Sequence, residues 1–353
     1  MRNGLNLFTS QSICKSVLVS GIFALLISGC SPHQQLSSAL HDYHYRLASV
    51  LKVEPIDIAF SAQFNFPAKS DMFRQPSSMS INFREFYSLP NCQLNTLIAE
   101  RNTGLGKLQL PSQRFIYEAN LLLALHQCVE VSEDKTIQNK LNQLLEEKLM
   151  QYPDSYANLI QTSDEVILSF THANGFISGD STDGLSETLI ALQYLLAINN
   201  ANVETKSVIS TELEASLNDL NRFRLVARLW RSQQLISQWF TLSNSWLNKH
   251  TQNINCKSRS GRETIQYLNN VFRLFFVDKI QPIAGQLNHY HYQFSPLLES
   301  MTKIPELDPL WRSEINRQIF GEYHRYKTAM REHVLVWQNL FNRCGMSPTS
   351  NNR

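Results

Sequence analysis

The sequence predicts an all-α protein, an elongated bundle of antiparallel helices with an irregular Pro- and aromatic-rich segment near its N-terminus. Three observations predict it. Apolar residues recur every three or four positions along most of the 353 residues. Glycine and proline are scarce, twelve of each, which favours long regular elements over many turns. No stretch shows a convincing strand alternation. A hydrophobic content of 43% supports a sizeable core, as one large domain or as two sub-bundles.

Residues 1–29 read as a secretory signal rather than as part of the fold. Arg2 and Lys15 precede an apolar stretch from about Val17 to Ile27, and the small residues Ser28 and Gly29 follow. That stretch is too short for a membrane helix, which needs about 20 residues. Ile27-Ser28-Gly29-Cys30 resembles the lipobox of bacterial lipoproteins. The resemblance implies that Cys30 becomes the mature N-terminus and carries the acyl chains of a membrane anchor. Ser31, where an Asp would suggest inner-membrane retention, points to the outer membrane. Residues 1–29 hold two bases and no acid, so the formal charge of +2 falls to zero without them. A balanced chain lacks the electrostatic footprint of a nucleic-acid binder and the polybasic patch of an anionic-lipid binder.

The helices follow in order. Gln34 to Lys52 carries an apolar stripe of Leu36, Leu40, Tyr43 and Leu47, ended by Glu54-Pro55. Between Pro55 and Pro90 four prolines break the pattern, while Phe60, Phe64, Phe66, Phe73, Phe83, Phe86 and Tyr87 argue against disorder. The expectation is an extended segment with its aromatics inserted into the helical body. Asn91 can cap a helix from Cys92 to about Thr103, and Pro111 opens one that continues to Cys128. Ser132 is the expected cap of the next, with a further helix after Pro153 and a break near Ser163. A polar loop, Asn174 to Gly184, precedes a strongly apolar helix, Leu185 to Ile198, expected to be buried. Val203 to Leu247 holds neither Pro nor Gly and reads as one long helix, or as two with a bend near Asn221. Arg262 to about Leu298 is helical with a kink expected at Pro282. The last helix runs from about Pro309 to Arg343, with Gly345 as a stop signal. The expected division is a signal at 1–29; a tether, first helix and irregular segment at 30–90; sub-bundles at 91–200 and 201–345; and a tail at 346–353.

Cys14 leaves with the signal and Cys30 is acylated, so Cys92, Cys128, Cys256 and Cys344 remain, which suggests two disulfides. Cys92 starts one helix and Cys128 ends the next, so an antiparallel pair brings them together. The 262–298 and 309–343 segments have similar lengths, about 50–55 Å at 1.5 Å per residue, and folded antiparallel they bring Cys256 near Cys344. The expected pairs are 92–128 and 256–344.

Motifs for specific chemistry fail on spacing. Gly104–Lys107 suggests a phosphate loop, but Arg101 stands where a P-loop needs glycine and Leu108 where it needs Ser or Thr. His289 and His291 point about 200° apart on a helix and cannot share an ion. His41 and His44 have better spacing but no placeable third ligand. Gly179 to Gly184 lacks the alternating acids and closing Glu of a calcium loop. No nucleophile elbow or H-E-x-x-H run is present. The expectation is no metal and no cofactor.

The most unusual cluster is Leu97 to Lys107 with the Pro111–Cys128 stretch after it. Cys92, the Leu97–Asn102 run, the Leu105–Lys107 turn, the Tyr117–Glu118 pair, Cys128 and the Ile280-Gln281-Pro282 step resemble a family of Gram-negative lipoproteins of unknown function. Thr103 stands where that pattern has Ser. The resemblance implies the architecture and supplies no mechanism. Glu100, Arg101, Asn102, Lys107, Tyr117 and Glu118 form the candidate polar site. They read either as a network fixing the hairpin, with Arg101 pairing Glu118 or Glu100 and Asn102 bonding a helix end, or as a pocket where Arg101 and Lys107 receive an anion.

Three functions compete. The first is a non-enzymatic outer-membrane lipoprotein that binds or scaffolds envelope components, attached to the membrane through Cys30 and free of nucleic acid, with an envelope protein as its possible partner. The second is an envelope hydrolase acting on cell-wall or lipid material, which needs facing carboxylates or a carboxylate beside a histidine such as His126 or His324. The third is a small-ligand carrier, which needs an apolar cavity rather than a core filled by Phe and Trp.

Overall fold

The computed structural model describes residues 35–75, 92–103, 110–199 and 210–346. The signal, Cys30, Lys107, the Asn91 cap and the segment 76–91 lie outside them. The chain is an all-α bundle, without a strand among the described residues.

α1 (Gln35–Leu51) buries the predicted stripe Leu36, Leu40, Tyr43 and Leu47. Residues 54–68 form an irregular strap, followed by the one-turn α2 (Lys69–Met72). Phe60 packs near Phe176, Phe64 near Trp230, and Phe66 among Phe170, Trp230 and Trp311, as the aromatic content predicts. Phe73, by contrast, is exposed.

α3 (Leu94–Arg101) and α4 (Pro111–Val131) pack together and are bridged by Cys92–Cys128, with Cα atoms 5.7 Å apart. α5 (Lys135–Thr162) lies along α4 and is followed by α6 (Asp164–Thr171). Two expectations are corrected here. Asp134, not Ser132, caps α5, and its carboxylate accepts from the Thr136 and Ile137 amides. Pro153 does not separate two helices, because α5 runs through it. One lost backbone bond is offset by the half that follows, where residues 155–162 are all buried. The break at Ser163 is present.

The loop over 172–184 is held by α9 (Leu225–Thr251), whose Arg224, Arg228 and Arg231 donate to the carbonyls of His172, Phe176 and Ala173. It ends at Gly184, whose φ of 80° favours glycine. α7 (Leu185–Asn199) covers only one face, and Ile190 stays exposed although the sequence predicts burial. α8 (Ser210–Phe223) pairs with α7. The long apolar run is two helices, and the break falls at Arg224 rather than Asn221. Arg224 adopts a left-handed backbone and its guanidinium bonds both the carbonyl and the side chain of Asn221.

α9 is the axis of the bundle and is buried nearly all round in its first four turns. Packed about it are α1, α6, α11 (Gln281–Thr302) and α13 (Tyr323–Arg343). α10 (Arg259–Val271) passes into a π-helical segment, Phe272–Ile280, and then into α11. The sequence predicts a kink at Pro282; the structure places a π-helical segment that ends two positions before it, at Ile280. α12 (Pro309–Asn316) passes through a second π segment, Arg317–Glu322, into α13. Cys256 pairs with Cys344, their Cα atoms 5.2 Å apart. The pairing comes about differently from the argument above. α13 lies chiefly along α9, and Arg343 donates to the Thr251 and Gln252 carbonyls at the end of α9, five residues before Cys256. The loops closed span 36 and 88 residues, and each bridge stabilises by about 4 kcal/mol through chain entropy. Buried apolar side chains from Leu36 to Phe341 form a single cluster that draws on both sides of residue 200.

Candidate functional site

Of the six residues singled out in the sequence, the structure brings three together. Glu118 is buried on α4 and receives Lys148 Nζ from α5 at 2.9 Å. Arg114, one turn earlier, contacts the other carboxylate oxygen and lies over the Tyr117 ring, 5.4 Å from its centre. Tyr117 is pushed up to about 12, first by burial and then by the Glu118 charge. Arg101 at the end of α3 belongs to the same field. Burial and the Arg114 charge lower its pKa, and Tyr117 and Glu118 oppose them. Glu118 therefore has Arg114 and Lys148 as its direct partners, where the sequence suggested Arg101. Glu100 and Asn102 are exposed at the helix end. Asn102 closes α3 with its backbone N–H, while the Thr103 hydroxyl donates to the Glu100 carbonyl. Lys107 lies outside the described residues.

Sequence reasoning passed over Arg114 and Lys148. For Arg114 a signal existed, the i,i+4 spacing to Glu118. Lys148 is 30 residues from Glu118, and no local pattern links them. What the cluster does chemically is fix α3, α4 and α5 against one another. Each of its carboxylate oxygens faces one cation.

A second polar group, absent from the sequence reading, sits where α1, α9 and α13 meet. His333 Nδ1 and Asn244 Oδ1 are 2.6 Å apart. Asn244 Nδ2 donates to the Ala329 carbonyl, so the amide oxygen faces the ring and Nδ1 carries the proton. Nε2 then accepts from the Tyr43 hydroxyl at 2.8 Å, and the Tyr43 oxygen accepts from the Trp337 indole at 2.8 Å. Phe240 stacks on the imidazole. Burial holds His333 down at about 3 and raises Tyr43 well above its usual value. Every member is neutral, and His333 is wholly enclosed.

A third charged group pins the strap. Glu314 accepts from Arg317 Nε and Nη2 at 2.8 and 2.7 Å and from Gln318 Nε2 at 2.8 Å. Arg317 also contacts Glu322 and donates to the Gln63 carbonyl. Burial would raise the Glu314 carboxyl, but these donors outweigh it and hold it below its usual value.

The histidines considered for chemistry are placed as follows. His126 lies 3.7 Å from Glu130 on the surface of α4, and His324 is exposed. His44 Nε2 accepts from the Ile56 amide at 2.9 Å, and its ring packs on Trp246. Burial, aided by His41, lowers His44 to about 4. Among the described residues no three His, Cys, Asp or Glu side chains are grouped to hold a metal ion. Two concave surfaces lie along α1 and share Asp42 and Tyr45: a depression at His41, His44 and Asp57, and a groove between α1 and the junction of α10 with the Phe272–Ile280 segment. No helix of the described residues is long and apolar enough to cross a membrane.

Residues 40–348 match a family described as a protein of unknown function, DUF3080, and that description carries neither an activity nor a location. No curated protein and no solved structure matches the chain. With most of its length matched, the chain belongs to that family.

Proposed function

We propose that this family member is an outer-membrane-anchored periplasmic lipoprotein whose helical body acts as a non-enzymatic binding or scaffolding module of the cell envelope. The observation that carries the reading is the Ile27-Ser28-Gly29-Cys30 step after a short apolar run, which places Cys30 five positions before α1 begins at Gln35. Two disulfides agree with an exported chain. The module reading rests on the state of the groups that would otherwise do chemistry. His333 is sealed with Tyr43, Trp337 and Asn244, and Glu118 is ion-paired with Arg114 and Lys148. A carrier would need an apolar cavity, whereas Trp230, Trp239, Trp311 and Trp337 fill the interior.

Replacing Cys30 tests the anchor. Wild-type protein is expected in the outer-membrane fraction and Cys30→Ala outside it; a variant that still fractionates with the outer membrane refutes the lipoprotein reading. Cross-linking in cells tests the module, and a defined envelope partner recovered with the wild-type chain is the expected result.

A further inference from the structure

We propose that the groove between α1 and the Phe272–Ile280 segment is the face that this chain lays on the phospholipid surface. The proposal rests on the Cys30 anchor described above and extends it from a point of attachment to an orientation.

The first argument is reach. Four residues separate Cys30 from Gln35, the start of α1, and the five steps span at most about 18 Å. Tyr45 lies ten residues further on, about 15 Å along the helix. A body so tethered keeps the start of α1 within about 18 Å of the bilayer, so a face near α1 is the one placed to meet the lipid.

The second argument is chemistry. Tyr45, Tyr267 and Leu274 line one groove and are 67%, 60% and 55% exposed. Phe275 forms its wall, with the Arg46 guanidinium 4.2 Å and the Lys279 ammonium 4.6 Å from its ring centre. Both cations also reach Asp42, at 2.8 and 3.7 Å, so the one acid of the groove wall is neutralised. Apolar and tyrosine side chains topped by cations suit the headgroup boundary, where aromatic rings settle and basic heads meet phosphate. Another surface near the start of α1 is the 174–184 loop, joined by the Gly179 amide to Gln35. It presents Asp180 and Asp183, which anionic headgroups repel.

The test uses the full lipidated chain in vesicles of phosphatidylethanolamine and phosphatidylglycerol. Tyr267→Cys carries an environment-sensitive fluorophore, and Met150→Cys, exposed on α5, carries it as the control. The expected result is a blue shift at 267 and quenching by doxyl lipids several-fold stronger than at 150. Equal quenching at the two positions overturns the proposal. Shielding of 267 in cells but not on vesicles also overturns it and gives the face to a protein partner. The mass of the residue-30 peptide reads the anchor separately. If it is acylated and 267 stays wet, only the docking face fails; if it is unmodified, the anchor fails and the proposal with it.

Discussion

The Arg114–Glu118–Lys148 cluster joins two consecutive helices and the Tyr43–His333–Trp337–Asn244 network joins helices distant in sequence, and they do so with opposite chemistry. The first is ionic. It places one carboxylate between two cations, with Arg101 adding a third nearby charge. The second is neutral, and each donor group finds an acceptor inside the network or on the Ala329 carbonyl. The difference teaches where removal of a single group is costly. In the ionic cluster a deletion strands a charge, whereas in the neutral network it strands a dipole.

The largest expected effect is therefore at Glu118. Glu118→Ala leaves Lys148 buried without its carboxylate and costs about 3–5 kcal/mol, read by urea denaturation. Replacing both partners, as Glu118→Leu with Lys148→Met, recovers most of that loss. A Glu118→Ala protein as stable as wild type would remove the contrast.

His333→Phe comes next. It keeps a ring against Phe240 but leaves the Tyr43 hydroxyl and Asn244 Oδ1 short of a partner, at about 2–4 kcal/mol. The same variant sharpens the pH behaviour. His333 is held at about 3 in the fold against about 6.5 when unfolded. Between those values the unfolded chain binds the extra proton, so stability is present above pH 6.5 and is lost as pH falls toward 3. From pH 7 to 5 the His333 share is about 2 kcal/mol. His44 and His291, each lowered to about 4 chiefly by burial, act with the same sign. Melting curves in acid should flatten in His333→Phe, and an unchanged slope would refute the assignment.

The smallest effect is at Tyr43→Phe, about 1 kcal/mol, because the Trp337 indole still reaches His333 Nε2 at 3.1 Å. A loss as large as that of Glu118→Ala would show that the neutral network is no gentler than the ionic one.

Helical periodicity announces most of this architecture. The stripe of α1, the break at Ser163 and the insertion of Phe60, Phe64 and Phe66 follow from local pattern and aromatic content. The boundaries read less well where burial competes with a local rule. Pro153 sits inside a helix because the residues after it are buried, and Arg224 breaks a run that contains neither glycine nor proline because its guanidinium closes onto Asn221. Ser132 and Asp134 are both good caps, and only the second meets the free amides. Of the candidate site, Glu118 and Tyr117 are legible because they are adjacent. Lys148 and His333 are not, since their partners, Glu118 and Tyr43, lie 30 and 290 positions away.

The strap carries a consequence for how the molecule opens. No strand among the described residues pairs with it, and side-chain amides take the place of a ladder. Gln234 bonds both the N–H and the carbonyl of Gln63, and Asn158 does the same for Arg74. Gln238 holds Ala59 and Gln161 holds Met72. These anchors stand on α5 and α9, so the strap can dock only on helices already assembled. Its release costs those bonds, the Arg317 and Gln318 bonds to the Gln63 carbonyl and its inserted rings, while the helices beneath stay packed. Residues 54–75 thus form a separate opening unit of low free energy, the first segment expected to exchange its amide hydrogens or meet a protease while α9 remains closed.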